Sequence, residues 1–210
     1  MGNKKLKVES SKFMVQRTKT IKLPLTKADV LKLNVGDMVL INGLIVTGRD
    51  KLHKFLFNER PSKKQLPINL KGIILYHCGP IIKKAPDGYK VVAAGPTTSM
   101  RVEIYEHRII SEYGLGGVMG KGGMGNQTLN TLKENGCVYL HTIGGGAVYL
   151  ADRVKKVVGV WKLEEFGSTE AMWIFEVKDF PAIVTMDAHG RSLHEKIEKK
   201  SYHELKRLIA

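Results

Sequence analysis

Ala94-Gly95-Pro96-Thr97-Thr98-Ser99-Met100-Arg101-Val102-Glu103 joins a strand end, a tight turn and a helix start. Upstream, the mostly apolar run 89–93 reads as a buried strand, and downstream Val102, Tyr105 and Ile109 recur at helical spacing. Gly95-Pro96 breaks the chain between them. The hydroxyls of Thr97, Thr98 and Ser99 are suited to cap a helix beginning near Met100. Such a junction gathers unpaired backbone N–H groups and the positive end of a helix dipole at one point, which suits an anion. Arg101, in the first turn, adds a planar fork that matches a carboxylate. The simpler alternative is a capped helix carrying a surface arginine, a common arrangement.

The same strand–turn–helix grammar recurs along the chain. Residues 1–12 are polar and lysine-rich, and 13–25 reads as an early strand. Thr26 caps a short helix that ends before Gly36, and 37–45 reads as two strands joined by a hairpin turn at Asn42-Gly43. The second of these strands ends at Gly48, and Asp50 is placed to cap a helix reaching about Glu59. Arg49 lies at the mouth of that helix, and His53 follows Asp50 by three positions, so a carboxylate can orient an imidazole. A helical His near an Asp is still more often a surface pair. Strand 71–76 leads to His77-Cys78-Gly79-Pro80. Adjacent strand residues point to opposite faces, so His77 and Cys78 do not easily pair for nucleophilic catalysis; Cys78 reads as a structural thiol and His77 as a candidate site residue. Strand 137–143, a glycine turn at 144–146, a helix over 147–155, strands 173–177 and 182–186, and an amphipathic helix 194–209 complete the chain. Repeated strand–turn–helix units argue for a layered α/β domain with its site at the loop ends.

Between these units lies Gly114-Leu115-Gly116-Gly117-Val118-Met119-Gly120-Lys121-Gly122-Gly123-Met124-Gly125. Gly120, Gly122 and Gly125 match GxGxxG, but only a very short strand precedes them and no acidic residue follows at the ribose-binding distance. Leu115 replaces the first glycine of a P-loop, and neither Ser nor Thr follows Lys121. What remains is a glycine turn that approaches a ligand closely, with Lys121 at its centre and a helix starting near Gln127.

Composition narrows the partners. Thirty-four Lys and Arg against twenty Asp and Glu leave a net charge of +14, which calls for an anionic substrate, a polyanion or an acidic protein surface. The lysines are scattered as pairs, with no basic arm interleaved with aromatics, so nucleic acid is not favoured. The two cysteines, Cys78 and Cys137, form no CxxC and are too few to build a zinc or iron–sulfur site, so this chain is expected to bind no metal by itself. Sparse cysteine, no apolar leader and no membrane-length apolar run point to a cytoplasmic protein without a membrane partner.

Four segments in order resemble the class I fumarate hydratases: Thr47-Gly48-Arg49-Asp50 with His53, His77-Cys78-Gly79-Pro80, Gly95-Pro96-Thr97-Thr98-Ser99-Met100-Arg101, and Gly120-Lys121-Gly122-Gly123-Met124. The chain looks like the small beta subunit, or C-terminal domain, of that iron–sulfur hydro-lyase family, which also includes L(+)-tartrate dehydratase. The resemblance implies a basic arm and first strand over residues 1–22, then a swivelling β/β/α layered domain over 23–210. It implies a [4Fe–4S] cluster carried by a partner alpha subunit, an α2β2 assembly, and reversible hydration of fumarate to (S)-malate. The cluster acts there as a Lewis acid on the substrate. In that setting Arg49, Thr98, Arg101 and Lys121 bind the dicarboxylate, Thr97 is the base, and His53 is a relay oriented by Asp50. Lys51 and Leu52 depart from the family's smaller residues there. The rival of another class is a non-catalytic module for an anionic metabolite or nucleic acid.

Overall fold

The computed structural model describes residues 18–86 and 88–209. The basic arm and the first part of the early strand lie outside the described residues. What remains of that strand is β1 (Lys19–Lys22). There follow α1 (Lys27–Val30), β2 (Met38–Gly48), α2 (Asp50–Glu59), β3 (Ile74–His77), β4 (Ile81–Ala85), β5 (Gly88–Ala93), a 3-10 turn (Ser99–Val102) and α3 (Glu103–Tyr113). The second half holds β6 (Gly117–Gly120), α4 (Asn126–Asn135), β7 (Val138–His141), α5 (Ala147–Ala151), β8 (Val154–Trp161), α6 (Leu163–Phe166), β9 (Met172–Met186) and α7 (Leu193–Ile209).

Strands β2, β3, β6 and β7 lie side by side and parallel. Strand β9 runs antiparallel to both β7 and β2, so the ladder returns to its starting strand and closes a small barrel. Closure removes the exposed edges that an open sheet presents. β1 pairs with the first half of β2, and β8 with the first half of β9. The fold is thus mixed α/β, as the strand–turn–helix grammar implies, but its sheet curls into a barrel.

Strand alternation divides the core in two. Ile74, Tyr76, Met119, Val138, Leu140, Phe175 and Phe180 form one buried cluster inside the barrel. The alternate positions Leu75, Val118 and Tyr139 face outward, where Leu52 and Leu56 of α2, Ile109 and Ile110 of α3 and Leu132 of α4 cover them. Every outward residue near the upper ends of β2, β3 and β6 therefore looks into the layer between barrel and helices.

Two expected turns are absent. Asn42-Gly43 makes a bulge, and β2 continues through it. Gly43 has φ +116, and a Cβ there would lie 3.1 Å from Leu23 Cβ, so only glycine suits the position. The Asn42 side chain accepts the Asp179 backbone N–H at 3.1 Å, tying the bulge to the bend of β9. The bend at Asp179-Phe180-Pro181 likewise interrupts nothing, and the two expected late strands are one. Segment 89–93 belongs to a separate two-stranded hairpin, β4–β5, in which Val91 is the buried side chain; it is not a core strand. Strand β8 begins at Val154, where the sequence reads as the end of a helix. Its lysines and glycine leave too little alternation to mark an edge strand.

Phe180 is fully buried, with its ring 5.5 Å from that of Tyr76. Phe180→Ala empties the centre of the barrel and is expected to cost about 3–5 kcal/mol. Equilibrium urea unfolding checks this as a lowered midpoint at constant slope.

Candidate active site

The carboxyl ends of β2, β3 and β6 come together, and the chain leaving each is pinned to its neighbours by backbone bonds. Cys78 N–H reaches Gly48 O at 3.3 Å, Thr97 N–H reaches His77 O at 2.7 Å, and Lys121 N–H reaches Thr97 O at 3.2 Å. Ser99 N–H then reaches Lys121 O at 3.0 Å. Residues far apart in sequence, Arg49, Thr97, Arg101 and Lys121, thus share one rim at the ends of parallel strands, where α/β folds bind ligands.

Each arginine of the rim already holds a carboxylate. Arg101 Nη2 lies 2.7 Å from Asp50 Oδ2, and Arg49 Nη2 lies 3.9 Å from the same oxygen. Arg49 Nε is also 3.5 Å from Glu170 Oε1. Glu170 in turn accepts the Lys51 N–H in the first turn of α2, at 2.9 Å. The Arg49 side chain lies flat on Gly79: a Cβ there would be 2.5 Å from Arg49 Cδ and 2.8 Å from the Thr169 carbonyl. The Lys121 stem passes Gly144, whose added Cβ would be 3.8 Å away. Thr98 is exposed at the rim, while Thr97 is half-buried and its hydroxyl donates to the His77 carbonyl at 3.0 Å.

Several local expectations change. Asp50 is the first residue of α2, with Arg49 in the cap position and no side-chain cap bond. Asp50 turns outward to Arg101, so the expected Asp50–His53 pairing does not form. The three hydroxyls at 97–99 make no cap bond either. On α3 the buried face is Val102, Glu106, Ile109, Ile110 and Tyr113, with Tyr105 only half-buried.

Beneath the rim lies a polar cluster of which the motifs supply His53 and His77 but not Glu106. His53 of α2, His77 of β3 and Glu106 of α3 are fully or almost fully buried. His53 Nε2 and His77 Nε2 are 3.2 and 3.1 Å from Glu106 Oε2. His53 Nδ1 lies 2.7 Å from the Arg49 carbonyl oxygen, and His77 Nδ1 lies 2.8 Å from Ser99 Oγ. Ser99 Oγ is 2.9 Å from the Tyr139 hydroxyl, which accepts the Gly123 N–H at 3.3 Å. Burial is the largest influence on all three ionisable groups and opposes charge on each. For Glu106 the two imidazoles overcome it and bring the carboxyl down to about 2. The Glu106 charge and the Arg49 carbonyl likewise hold His53 above the usual histidine value, whereas burial keeps His77 below it. For Glu106 the sequence carries one signal: it occupies an apolar-face position of α3, four residues from Val102 and three from Ile109.

Neither cysteine fits an iron–sulfur cluster. Cys78 lies inside the barrel and Cys137 in the helix layer, both fully buried. Burial raises both thiols far above the ordinary cysteine value, away from the thiolate a cluster requires. Among the described residues no helix is long and apolar enough to cross a membrane.

The structure is a closed α/β barrel with Arg49, Arg101 and Lys121 gathered at the ends of its parallel strands. The chain belongs to the family described as Fumarase C-terminus, whose profile matches residues 2–197. It is 52% identical over 191 residues to a putative class I fumarate hydratase of Geobacillus stearothermophilus, covering 90% of this chain and 36% of that protein. It is 45% identical over 186 residues to a putative L(+)-tartrate dehydratase subunit beta of Methanocaldococcus jannaschii, covering 88% of this chain and 95% of that one. The L(+)-tartrate dehydratase subunit beta of Escherichia coli K12 is 38% identical over 182 residues, covering 83% and 86%. This chain thus spans about a third of the first relative and nearly all of the second.

Two outcomes follow from this geometry. Gly79→Ala pushes the Arg49 guanidinium off its shelf and is expected to weaken dianion binding about tenfold or more, a loss of one charge-assisted contact. Calorimetric titration with a dicarboxylate measures it. The Glu106 carboxyl is depressed from 4.5 to about 2. Its contribution to stability is therefore complete above pH 4.5 and lost as pH falls towards 2. Glu106→Gln should flatten that part of an acid-unfolding curve followed by tryptophan fluorescence.

Proposed function

We propose that this chain is the beta-type half of a two-component hydro-lyase that hydrates fumarate to (S)-malate reversibly. The observation that carries the reading is the convergence of Arg49, Arg101 and Lys121 on one rim, with both arginines already engaged by carboxylates. A four-carbon dicarboxylate offers two such groups, and arginine forks fix its orientation as well as its charge. Asp50 keeps Arg101 extended over the site until substrate takes its place. Thr98 stands beside Arg101 as a further donor to a carboxylate.

Thr97 is assigned the proton transfer at the carbon next to a carboxylate, as the family resemblance implies. Its proton now goes to the His77 carbonyl. Serving as a base requires that this proton first leave to solvent water, with the resulting alkoxide stabilised by the charges of Arg101 and Lys121. His53 supports the rim from below and is assigned the relay role.

The [4Fe–4S] cluster of this reading is held by an alpha partner, because the two thiols here are buried apart and protonated. Two relatives are named subunit beta, which supports such a partner, and an α2β2 assembly is the arrangement we assign. In that complex the domain is proposed to move as a swivelling β/β/α layer that brings its cationic rim over the partner's cluster. The net charge of +14 suits both a dianion and an acidic partner face, in the cytoplasm. Tartrate is the second reading, supported by the names of those two relatives.

The test is anaerobic co-purification of the tagged full chain with its partner, followed by assays with fumarate and L(+)-tartrate. Oxygen-sensitive hydration of fumarate is expected. Activity on tartrate alone selects the second reading, and an iron-free complex inert to both overturns the enzyme. In the active complex, Arg101→Ala and Lys121→Ala are each expected to lower kcat/KM about a hundred-fold or more. Arg101→Ala should leave thermal stability almost unchanged, since an exposed ion pair contributes roughly 0–1 kcal/mol. Loss of assembly instead of turnover would count against the clamp.

A further inference from the structure

The buried cluster under the rim has a determinate arrangement of protons. The Arg49 carbonyl oxygen only accepts, so His53 Nδ1 at 2.7 Å carries hydrogen and donates. The other ring nitrogen faces Glu106 Oε2 at 3.2 Å, where a bare lone pair would oppose a carboxylate in a site closed to water. His53 therefore carries both protons and is an imidazolium. His77 Nε2 lies 3.1 Å from the same oxygen; neither contact is aligned as a hydrogen bond, and two N–H groups set against one buried oxygen favour charge on that carboxylate. The remaining bonds then run one way. Tyr139 accepts from Gly123 N–H and donates to Ser99, and Ser99 donates to Nδ1 of a neutral His77.

This chain of contacts begins at the Arg49 carbonyl and ends at the Gly123 amide. On its way it touches all three loops of the rim. His53 grips the residue that carries the first clamp. The His77 carbonyl holds the Thr97 hydroxyl, Ser99 lies between Thr97 and Arg101, and Gly123 closes the Lys121 turn. Gly120 leaves the space it needs: a Cβ there would lie 2.1 Å from Ser99 Oγ. The groups that face the cluster from the surrounding elements are Asp50 of α2, Cys137 before β7 and Tyr139 of β7.

We propose that Glu106 is a positioning residue of this enzyme: as a buried carboxylate it holds His53 as an imidazolium and His77 neutral, and so locks the loops of Arg49, Thr97 and Lys121 in register. The catalytic consequence rests on the hydro-lyase reading, while the protonation pattern does not. Both Nε2 atoms and the Glu106 carboxylate have no hydrogen-bond partner among the described residues, so in a site closed to water they depend on one another's charge. The rim loops thereby keep one spacing before substrate arrives, which is what orienting a rigid dicarboxylate demands.

Nitrogen-15 imidazole spectra of the full chain at pH 7.5 test the pattern directly. His53 is expected to show two ring protons and His77 one, on Nε2. In Glu106→Gln, His53 is expected to lose its Nε2 proton, and in the complex kcat should fall at least tenfold with KM changed less. Glu106→Asp should restore part of kcat. If Glu106→Gln does not fold, Ser99→Ala cuts the far end of the chain, leaving His53 charged while His77 exchanges its tautomer. Two neutral histidines in the folded wild type overturn the proposal. So does stoichiometric, tight binding of Zn2+ with both ring signals shifted, which would make the cluster a metal centre. A charged His53 in a complex inert to dicarboxylates sustains the protonation pattern and overturns only the hydratase reading.

Discussion

Strand β2 is hydrogen-bonded to β9 along nearly its whole length and to β3 at its carboxyl end. That double pairing converts a parallel sheet into a closed barrel, and the placement of the site depends on it. Closure curves the strands so that the ends of β2, β3 and β6 lean together, carrying loops separated by scores of residues to one rim. The bulge at Asn42-Gly43 and the bend at Asp179 are the adjustments that let two long strands follow this curvature.

The rim and the layer beneath it divide their tasks by dielectric. Above, Arg101 and Asp50 meet water, so their mutual pairing is weak. Below, His53, His77 and Glu106 are sealed from water, where charge is held strongly and unpaired atoms are costly. An exposed ion pair thus rests on a buried polar base. Backbone bonds between residues 97, 99 and 121 connect the two levels.

Much of this was legible in the chain. Glycines and prolines mark the strand-to-helix junctions, and α2, α3 and α4 lie where helical spacing places them. Arg49, Arg101 and Lys121 stand beside those junctions, so their placement at the strand ends follows from local pattern. The pairing of side chains did not follow. Asp50 and His53 are neighbours by helical spacing, yet one faces solvent and the other the barrel, and each found a partner on α3 or its preceding turn. Glu106 is visible only as a charge on an apolar face, and its meaning requires knowing what packs there.

The sequence by itself determined the alternation of strand and helix, the positions of the breaks, the excess of cations and the four motifs of the family. These are properties of neighbouring residues, governed by backbone sterics and periodicity, and need no knowledge of distant contacts. Only the tertiary structure decided that Asn42-Gly43 is a bulge within one strand, that the sheet closes, and that one buried carboxylate joins histidines from two elements. Each of those depends on which strand or helix lies opposite, and that choice is made by packing across the whole barrel.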